Sequence, residues 1–246
     1  MAAKKLTNLF YNPMLFFFLL PLFQMVLGSL FSLNYNRIHI LSFIFLYAFI
    51  LFNQMLENIL LRIPTVDFDL NKVFLALLEG LNILTLFYFG FAHSWIAALV
   101  LLLFSLFIQG QFLFTYYNLD GLAVLLTVSL KVIFLNGFSF YTNTGFISSE
   151  FVPYTLALLL PFFLYEASRV RLEMIEKALP ILLVLCYITG VGLLWSDLTF
   201  MSAVLFVSLP FAWGVYKKEF NRKTTSMFAI SFSLLYILLL FIVRLQ

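Results

Sequence analysis

The sequence predicts an all-α, polytopic membrane protein that forms a single transmembrane domain over residues 1–246. Hydrophobic residues make up 64% of the chain and charged residues only 10%. A soluble domain with this composition has too few polar side chains to cover its surface. The apolar residues fall into separate stretches, each long enough for a helix that crosses a hydrocarbon layer of about 30 Å. Helices are expected because backbone amides in that layer must be satisfied within the protein.

Nine apolar spans follow one another, joined by connections that hold most of the charge. Their bounds come from apolar windows flanked by turn residues and charges. The third and fourth spans are separated only by Gly90, His93 and Ser94, and Lys131 interrupts the fifth. The predicted spans are 14–32, 38–58, 73–91, 94–110, 120–136, 151–167, 178–195, 199–216 and 226–244.

The distribution of Lys and Arg predicts a cytoplasmic N-terminus and an extracytoplasmic C-terminus, because cytoplasmic loops retain basic residues. With nine spans, 11 of the 14 basic residues face the cytoplasm. Arg37, Lys131 and Arg244 fall on or toward the other side. We therefore expect an integral protein of a bacterial inner (plasma) membrane. The net charge of +3 requires no nucleic-acid partner, since the basic residues lie where this topology places them.

Few residues outside the charged segments indicate chemistry. The single cysteine, Cys186, excludes an intrachain disulfide. His39 and His93 are predicted near the extracytoplasmic face and lack the spacing of metal ligands, so we interpret them as interfacial residues. The 33 phenylalanines favour lipid contact and helix packing. A cavity for an isoprenoid or quinone tail is the more specific alternative.

Two polar clusters close the second and sixth spans on the same predicted side of the membrane. Ionisable groups within or beside a span are costly and mark candidate functional sites. Asn53 and Glu57 are four residues apart and so share one helix face. The matching positions suggest two pseudo-repeated halves that share a site, although exposed helix ends with intrahelical ion pairs, or interhelical hydrogen bonds, would give similar patterns. The clusters comprise Asn53, Gln54, Glu57, Asn58, Arg62, Asp67, Asp69, Asn71 and Lys72, and Glu166, Ser168, Arg169, Arg171, Glu173, Glu176 and Lys177.

On these clusters and three further segments, the chain resembles the UbiA superfamily of intramembrane prenyltransferases, nearest its 1,4-dihydroxy-2-naphthoate prenyltransferase branch. Proteins of that family have nine transmembrane helices, with Asp-rich NDxxDxxxD and DxxxD motifs closing helices two and six. The segments Tyr117–Leu122, Phe140–Gly145 and Glu176–Leu182 look like the branch's YSYxGLGE, TYYVQTG and KRTLPVL motifs at similar separations. The resemblance implies a UbiA-like helical bundle.

The acidic motifs of the family are eroded in this chain. In the first motif Asn53 matches the leading Asn, Gln54 replaces the first Asp, Glu57 the second and Leu61 the third. In the second motif, aligning Leu179–Pro180 places Ala167, Arg169 and Arg171 at the acidic positions, with Glu166 one residue away.

The resemblance also implies where a substrate and a metal would bind. The family's carboxylates hold Mg²⁺, which binds the diphosphate of the prenyl donor and stabilises it as a leaving group. Here the candidate metal ligands are Glu57, Asp67 and Asp69, and an arginine pair would bind phosphate directly. Tyr117 and Asn118 are expected on the acceptor side. The expected diphosphate-side residues are Asn53, Glu57, Lys72, Glu166, Arg169, Arg171 and Lys177.

From these features we expect a prenyltransferase-related protein with altered or lost catalysis that binds an isoprenoid or quinone-type lipid. An active prenyltransferase partner or another membrane subunit is a further expected contact. Two alternatives stay open: an active divergent enzyme that uses Mg²⁺, a polyprenyl diphosphate and an aromatic or lipid acceptor, or an unrelated transporter or channel subunit. The catalytic residues are unknown at this stage.

Overall fold

The structure, a computed structural model, describes residues 13–60, 72–170, 173–218 and 220–245. Throughout these ranges the secondary structure is helical and no strand occurs. Six helices are long and apolar enough to cross a membrane, as expected of an integral membrane protein: Ile40–Leu60, Lys72–Ala92, Asp120–Thr144, Ile175–Trp195, Thr199–Lys217 and Arg222–Val243.

The remaining apolar helices are shorter or carry charge. Phe17–Ser32 and Trp95–Gln109 are apolar but shorter than a full span. Val152–Val170 has 19 residues, and its last turn includes Arg169. A helical segment lies at each of the nine predicted stretches, but the count of nine spans stays a prediction because six helices meet the criteria for crossing.

The helices are numbered here in chain order. A π-helical turn, Leu130–Phe134, joins α7 to α8, and a 3₁₀ helix, Thr199–Ser208, joins α10 to α11. The α-helices are α1 Pro13–Phe23, α2 Val26–Ser32, α3 Ile40–Leu60, α4 Lys72–Ala92, α5 Trp95–Gln109, α6 Gln111–Tyr116, α7 Asp120–Ser129, α8 Leu135–Thr144, α9 Val152–Val170, α10 Glu173–Leu198, α11 Leu209–Lys218 and α12 Arg222–Leu245.

Two helix boundaries have clear local causes. The Ser94 side chain accepts a hydrogen bond from the Ala97 backbone N–H at 3.1 Å, which caps the first turn of α5. Gly145 ends α8 in the left-handed region, with φ of 79°, a conformation that glycine adopts without a steric penalty.

Two apolar cores divide the bundle. The smaller core lies among α3, α4, α5 and α8 and includes Phe49, Phe89 and Leu101. The larger core lies among α9, α10 and α12, with contributions from α1, α2 and α7, and includes Phe162 and Phe232. The rod formed by α7, the π turn and α8 contributes to both cores, so residues on this rod lie close to the helices of each half.

Helices α2 and α8 approach each other closely at Gly28. The Gly28 backbone N–H donates to Asn136 Oδ1 at 2.9 Å. A Cβ atom at Gly28 would lie 1.8 Å from the Asn136 carbonyl oxygen, so only glycine allows this packing. Asn136 Nδ2 also donates to the Val132 carbonyl at 2.7 Å, which ties the π turn to the start of α8.

Candidate functional site

Four charged side chains meet between α3, α9 and the π turn. Lys131 Nζ donates to both carboxylate oxygens of Glu57, at 2.9 and 2.8 Å, and to Glu166 Oε1 at 2.8 Å. Arg169 Nη1 donates to Glu57 Oε1 at 3.0 Å and to Glu166 Oε2. We call these four residues the ion quartet.

In the quartet, every carboxylate oxygen has a hydrogen-bond donor. A lysine ammonium has three donors, and all three of Lys131 point at carboxylate oxygens. Each of the four carboxylate oxygens of Glu57 and Glu166 accepts from Lys131 or Arg169. A metal ion or a phosphate entering the quartet would therefore have to displace an ion pair that already exists.

The quartet is almost fully withdrawn from solvent. The exposed fraction of the side chains is 0% for Glu57, 6% for Lys131 and 5% for both Glu166 and Arg169. Burial of an unpaired charge is strongly unfavourable, whereas paired, hydrogen-bonded charges compensate one another. Two carboxylates and two cations leave the group with no net charge, which makes this burial possible.

Helix geometry brings the four residues together. Glu57 lies in the last turn of α3, and Glu166 and Arg169, three residues apart, share one face of α9 near its end. Lys131 lies in the π turn, about 16 Å along the rod from Asp120 at the usual rise per residue. The prediction that placed Lys131 toward the extracytoplasmic side is corrected by these contacts, since its ammonium reaches the same site as Glu57.

A second buried polar group lies next to the quartet on α3. Ser105 Oγ donates to Asn53 Oδ1 at 2.6 Å, and Asn82 Nδ2 donates to Ser105 Oγ at 2.8 Å. Asn53 Nδ2 donates to Asn82 Oδ1 at 3.1 Å. These bonds close a ring between α3, α4 and α5, so the polar atoms of Asn53 hold the helices together.

The quartet connects outward through Asn58. Asn58 Oδ1 accepts from Arg169 Nη2 at 3.4 Å and from Arg222 Nη2 at 2.9 Å. Arg222 Nη2 also lies 3.5 Å from the Tyr165 hydroxyl oxygen. The end of α3, the end of α9 and the start of α12 therefore lie at the same end of the bundle.

Two small spaces border the quartet in the part of the chain that the structure describes. A cavity of about 10 Å³ lies among Gln24, Gln54, Lys131 and Glu166, and another of about 20 Å³ lies between Thr127 and Arg169. Each has room for about one water molecule. Gln54 Oε1 lines the first cavity and has no hydrogen-bond partner among the described residues, so a water there would satisfy it. Neither space would admit a diphosphate without separation of the helices.

Apart from Asn53, the other predicted substrate residues that the structure describes are exposed, whereas the quartet is buried. Lys72 and Lys177 are exposed near the starts of α4 and α10. Tyr117 and Asn118, expected on the acceptor side, are exposed in the turn before α7 and line neither of the two small cavities. Arg171, Asp67 and Asp69 lie outside the described residues.

The described part of the chain does not fit a Mg²⁺ site. It contains no group of three or more His, Cys, Asp or Glu side chains placed to hold a metal ion. Glu57 and Glu166 are the two carboxylates brought together, and Lys131 and Arg169 occupy their oxygens. Like charge at those positions repels a divalent cation.

Lys131 and Arg222 are charged residues of this region that the sequence did not assign to it. An intramembrane lysine requires a carboxylate partner, and few acidic residues occur within the spans. Pairing Lys131 with Glu57 and Glu166 on that ground would have located the quartet. Arg222 carries no comparable signal, because a basic residue at the start of a span is expected from topology alone.

Comparison with known proteins gives no relative: no family model, no curated protein and no solved structure matches the chain.

Proposed function

We propose that the protein is a UbiA-like integral membrane protein in which the metal and diphosphate centre has been replaced by the ion quartet. It binds an isoprenoid or quinone-type lipid, and its catalytic activity is lost or strongly reduced. The observation that carries the proposal is the occupation of every Glu57 and Glu166 carboxylate oxygen by Lys131 or Arg169.

The chemistry of prenyl transfer explains why these contacts matter. Ionisation of an allylic diphosphate needs positive charge directed at the leaving group, supplied in the resembled family by metal ions. Carboxylates that are neutralised by protein cations cannot also recruit Mg²⁺. Each 1.36 kcal/mol of lost stabilisation slows a reaction about tenfold, so loss of the metals alone removes most of the rate.

An apolar groove supports the lipid-binding part of the proposal. The groove lies on the outer face of α4 and α5 and has a volume of about 570 Å³. Ile83, Phe87, Trp95 and Leu99 are among the residues that line it. Small-molecule sites commonly have volumes of about 300–1,000 Å³ and apolar walls. An isoprenoid chain, which is apolar along its length, suits such a groove.

A prenyl-transfer assay on the purified full-length protein tests the catalytic part. Wild-type protein is incubated with Mg²⁺, a series of polyprenyl diphosphates and aromatic acceptors. We expect no transfer above background and no change in melting temperature on adding Mg²⁺ or EDTA. Rapid Mg²⁺-dependent transfer that is abolished in Glu57→Gln, but retained in the exposed control Glu176→Gln, would overturn the proposal in favour of an active enzyme.

Mass spectrometry of lipids that copurify with the protein tests the binding part. We expect isoprenoid or quinone lipids to be enriched relative to the host membrane. Leu99→Trp, which places a large side chain in the groove, should reduce that enrichment, whereas Leu119→Trp on the exposed turn before α7 should not. A lipid profile identical to the bulk membrane would contradict lipid selectivity.

A further inference from the structure

The turn between α11 and α12 carries a concentration of positive charge. Lys217, Lys218, Arg222 and Lys223 lie within seven residues, with Glu219 as the acidic residue among them. The turn joins two helices that are long and apolar enough to cross a membrane, Thr199–Lys217 and Arg222–Val243. These basic residues therefore lie where a membrane-spanning helix leaves the hydrocarbon.

Exposed aromatic side chains next to this turn indicate that it lies at the level of the lipid headgroups. Trp213 and Tyr216 are 58% and 53% exposed, and their ring centroids lie 5.8 Å apart. Trp and Tyr concentrate at the level of the lipid headgroups. Lys217 Nζ lies 4.9 Å from the centroid of the Trp213 ring, a cation–π distance. The ammonium group therefore lies beside the Trp213 ring, at the level where lipid headgroups are expected.

Arg222 provides a second cation, and its partners among the described residues carry no negative charge. Its described hydrogen bonds go to the neutral groups of Asn58 and Tyr165. Glu57 and Glu166 are already neutralised by Lys131 and Arg169. In the described part of the chain neither Lys217 nor Arg222 forms a salt bridge, so the turn presents a net positive charge.

We propose that Lys217 and Arg222 form a binding site for the phosphate of an anionic phospholipid headgroup. Basic residues just beyond a transmembrane helix attract anionic lipids electrostatically. Arg222 donates to phosphate through its guanidinium, and Lys217 supplies a point charge. The lipid's acyl chains lie beside the exposed rings of Trp213 and Tyr216. This proposal is independent of prenyl transfer and of isoprenoid binding.

Native mass spectrometry of the full-length protein with phosphatidylglycerol and phosphatidylcholine tests the proposal. We expect wild-type protein to retain phosphatidylglycerol in preference to phosphatidylcholine. Lys217→Gln should lower that preference roughly fivefold, and Lys217→Gln/Arg222→Gln should lower it further. Arg37→Gln, an exposed arginine on the turn between α2 and α3, is the matched control and should leave the preference unchanged.

Two further measurements separate loss of lipid binding from misfolding and from binding of a soluble anion. Lys217→Gln touches no hydrogen bond to α3, so it tests the site even if Arg222→Gln perturbs folding, which elution on size exclusion would show. Inorganic phosphate and diphosphate, added in millimolar excess, should displace little lipid. Full displacement by either anion would assign the site to a soluble ligand and overturn the proposal, as would an undiminished preference in the double variant.

Discussion

Lys131 lies within a span yet retains its full complement of hydrogen bonds. Its ammonium is 2.8 Å from one oxygen of Glu57 and 2.8 Å from one oxygen of Glu166. Such a group stabilises the fold only when all its members are present, because removal of one leaves a buried charge without a partner. Removal of Lys131 should therefore lower the free energy of unfolding by more than the loss of its own hydrogen bonds.

Lys131→Met should strongly destabilise the protein. The substitution leaves two buried carboxylates with Arg169 alone, and breaking a buried pair in this way costs about 3–5 kcal/mol. Lys131→Met/Glu57→Gln, which restores charge balance, should recover part of the loss. Melting monitored by fluorescence-detected size exclusion measures both, with Lys72→Met on the exposed start of α4 as the control. A melting temperature equal to wild type for Lys131→Met would contradict a structural role for the quartet.

Gly28→Ala should separate α2 from α8. The new methyl group would lie 1.8 Å from the Asn136 carbonyl oxygen, so the backbones must move and the bond from the Gly28 N–H weakens. We expect a loss of at least about 2 kcal/mol, comparable with overpacking a core. Gly80→Ala is the control: nothing lies within 4 Å of its Cβ position, and alanine favours a helix by about 1 kcal/mol. Equal effects of the two substitutions would argue against close helix packing at Gly28.

The stability of the protein should fall below about pH 6.5 because of His93. Burial lowers the pKa of His93 from its usual 6.5, and the neighbouring His39 lowers it further. His93 Nε2 also lies 2.9 Å from Ser42 Oγ, which contacts the Tyr88 hydroxyl. The unfolded chain takes up a proton near pH 6.5 and the folded chain only at lower pH, so stability is complete above pH 6.5 and declines below it. Melting temperatures from pH 5 to 8 should show this decline, and His93→Gln should reduce it.

At the scale of single elements, hydropathy predicted helix positions well where a helix ends in a polar loop. The predicted span 38–58 corresponds to α3, Ile40–Leu60, and 73–91 to α4, Lys72–Ala92. The predicted span 120–136 stopped too early, because the polar residues that follow it have partners on α2. Ser139 Oγ, for example, lies 2.6 Å from Ser29 Oγ, so the helix continues to Thr144. A partner on a distant segment is not visible in local composition.

The π turn is one of the elements that sequence reasoning did not predict. It adds a residue to the rod within Leu130–Phe134, and Leu135 N–H donates to the Leu130 carbonyl. π turns occur as single turns within α-helices and often mark functional sites. In this rod the turn sets the relative registers of Lys131 and Asn136, each of which contacts a different helix.

Deletion of Ile133 should be better tolerated than deletion of Leu126. Removal of one residue from the π turn allows a regular α-helix to form while α7 and α8 keep their registers. Deletion within α7 instead rotates every preceding residue by about 100° relative to its neighbours. The retained fraction of monodisperse protein after heating compares the two variants. If both deletions abolish folding equally, the rod does not tolerate removal of the extra residue of the π turn, and the prediction is wrong.

At the scale of the whole molecule, the hydrogen bonds define two ends of the bundle. Asn58, Arg169 and Arg222 meet at one end. At the other, the His39 backbone N–H donates to Asn143 Oδ1 at 2.8 Å. The two polar clusters on α3 and α9 were predicted to share one site, and Glu57, Glu166 and Arg169 lie together. The sequence did not assign Lys131 to this site. Hydropathy indicates where a backbone position lies in the membrane, but not how far a long side chain extends from it.

Cysteine labelling from the two sides of the membrane should distinguish these ends. The positive-inside rule places Lys72 and Lys217 in the cytoplasm and Arg37 outside. In intact cells a membrane-impermeant maleimide should therefore label Arg37→Cys, and should label Lys72→Cys or Lys217→Cys only after permeabilisation. The native Cys186 is buried and gives little background. The reverse labelling pattern would invert the predicted topology.

The charge balance of the quartet also determines how the protein responds to an electric field. A membrane potential does work of about 2.3 kcal/mol on each elementary charge moved across 100 mV. Glu57, Lys131, Glu166 and Arg169 sum to zero, so a rigid displacement of the group along the membrane normal involves almost no electrical work. A chain that kept both glutamates and lost Lys131 would carry one buried negative charge. Its folded arrangement would then depend on the voltage of the energised membrane, a dependence to which the neutral quartet of the native chain contributes almost nothing.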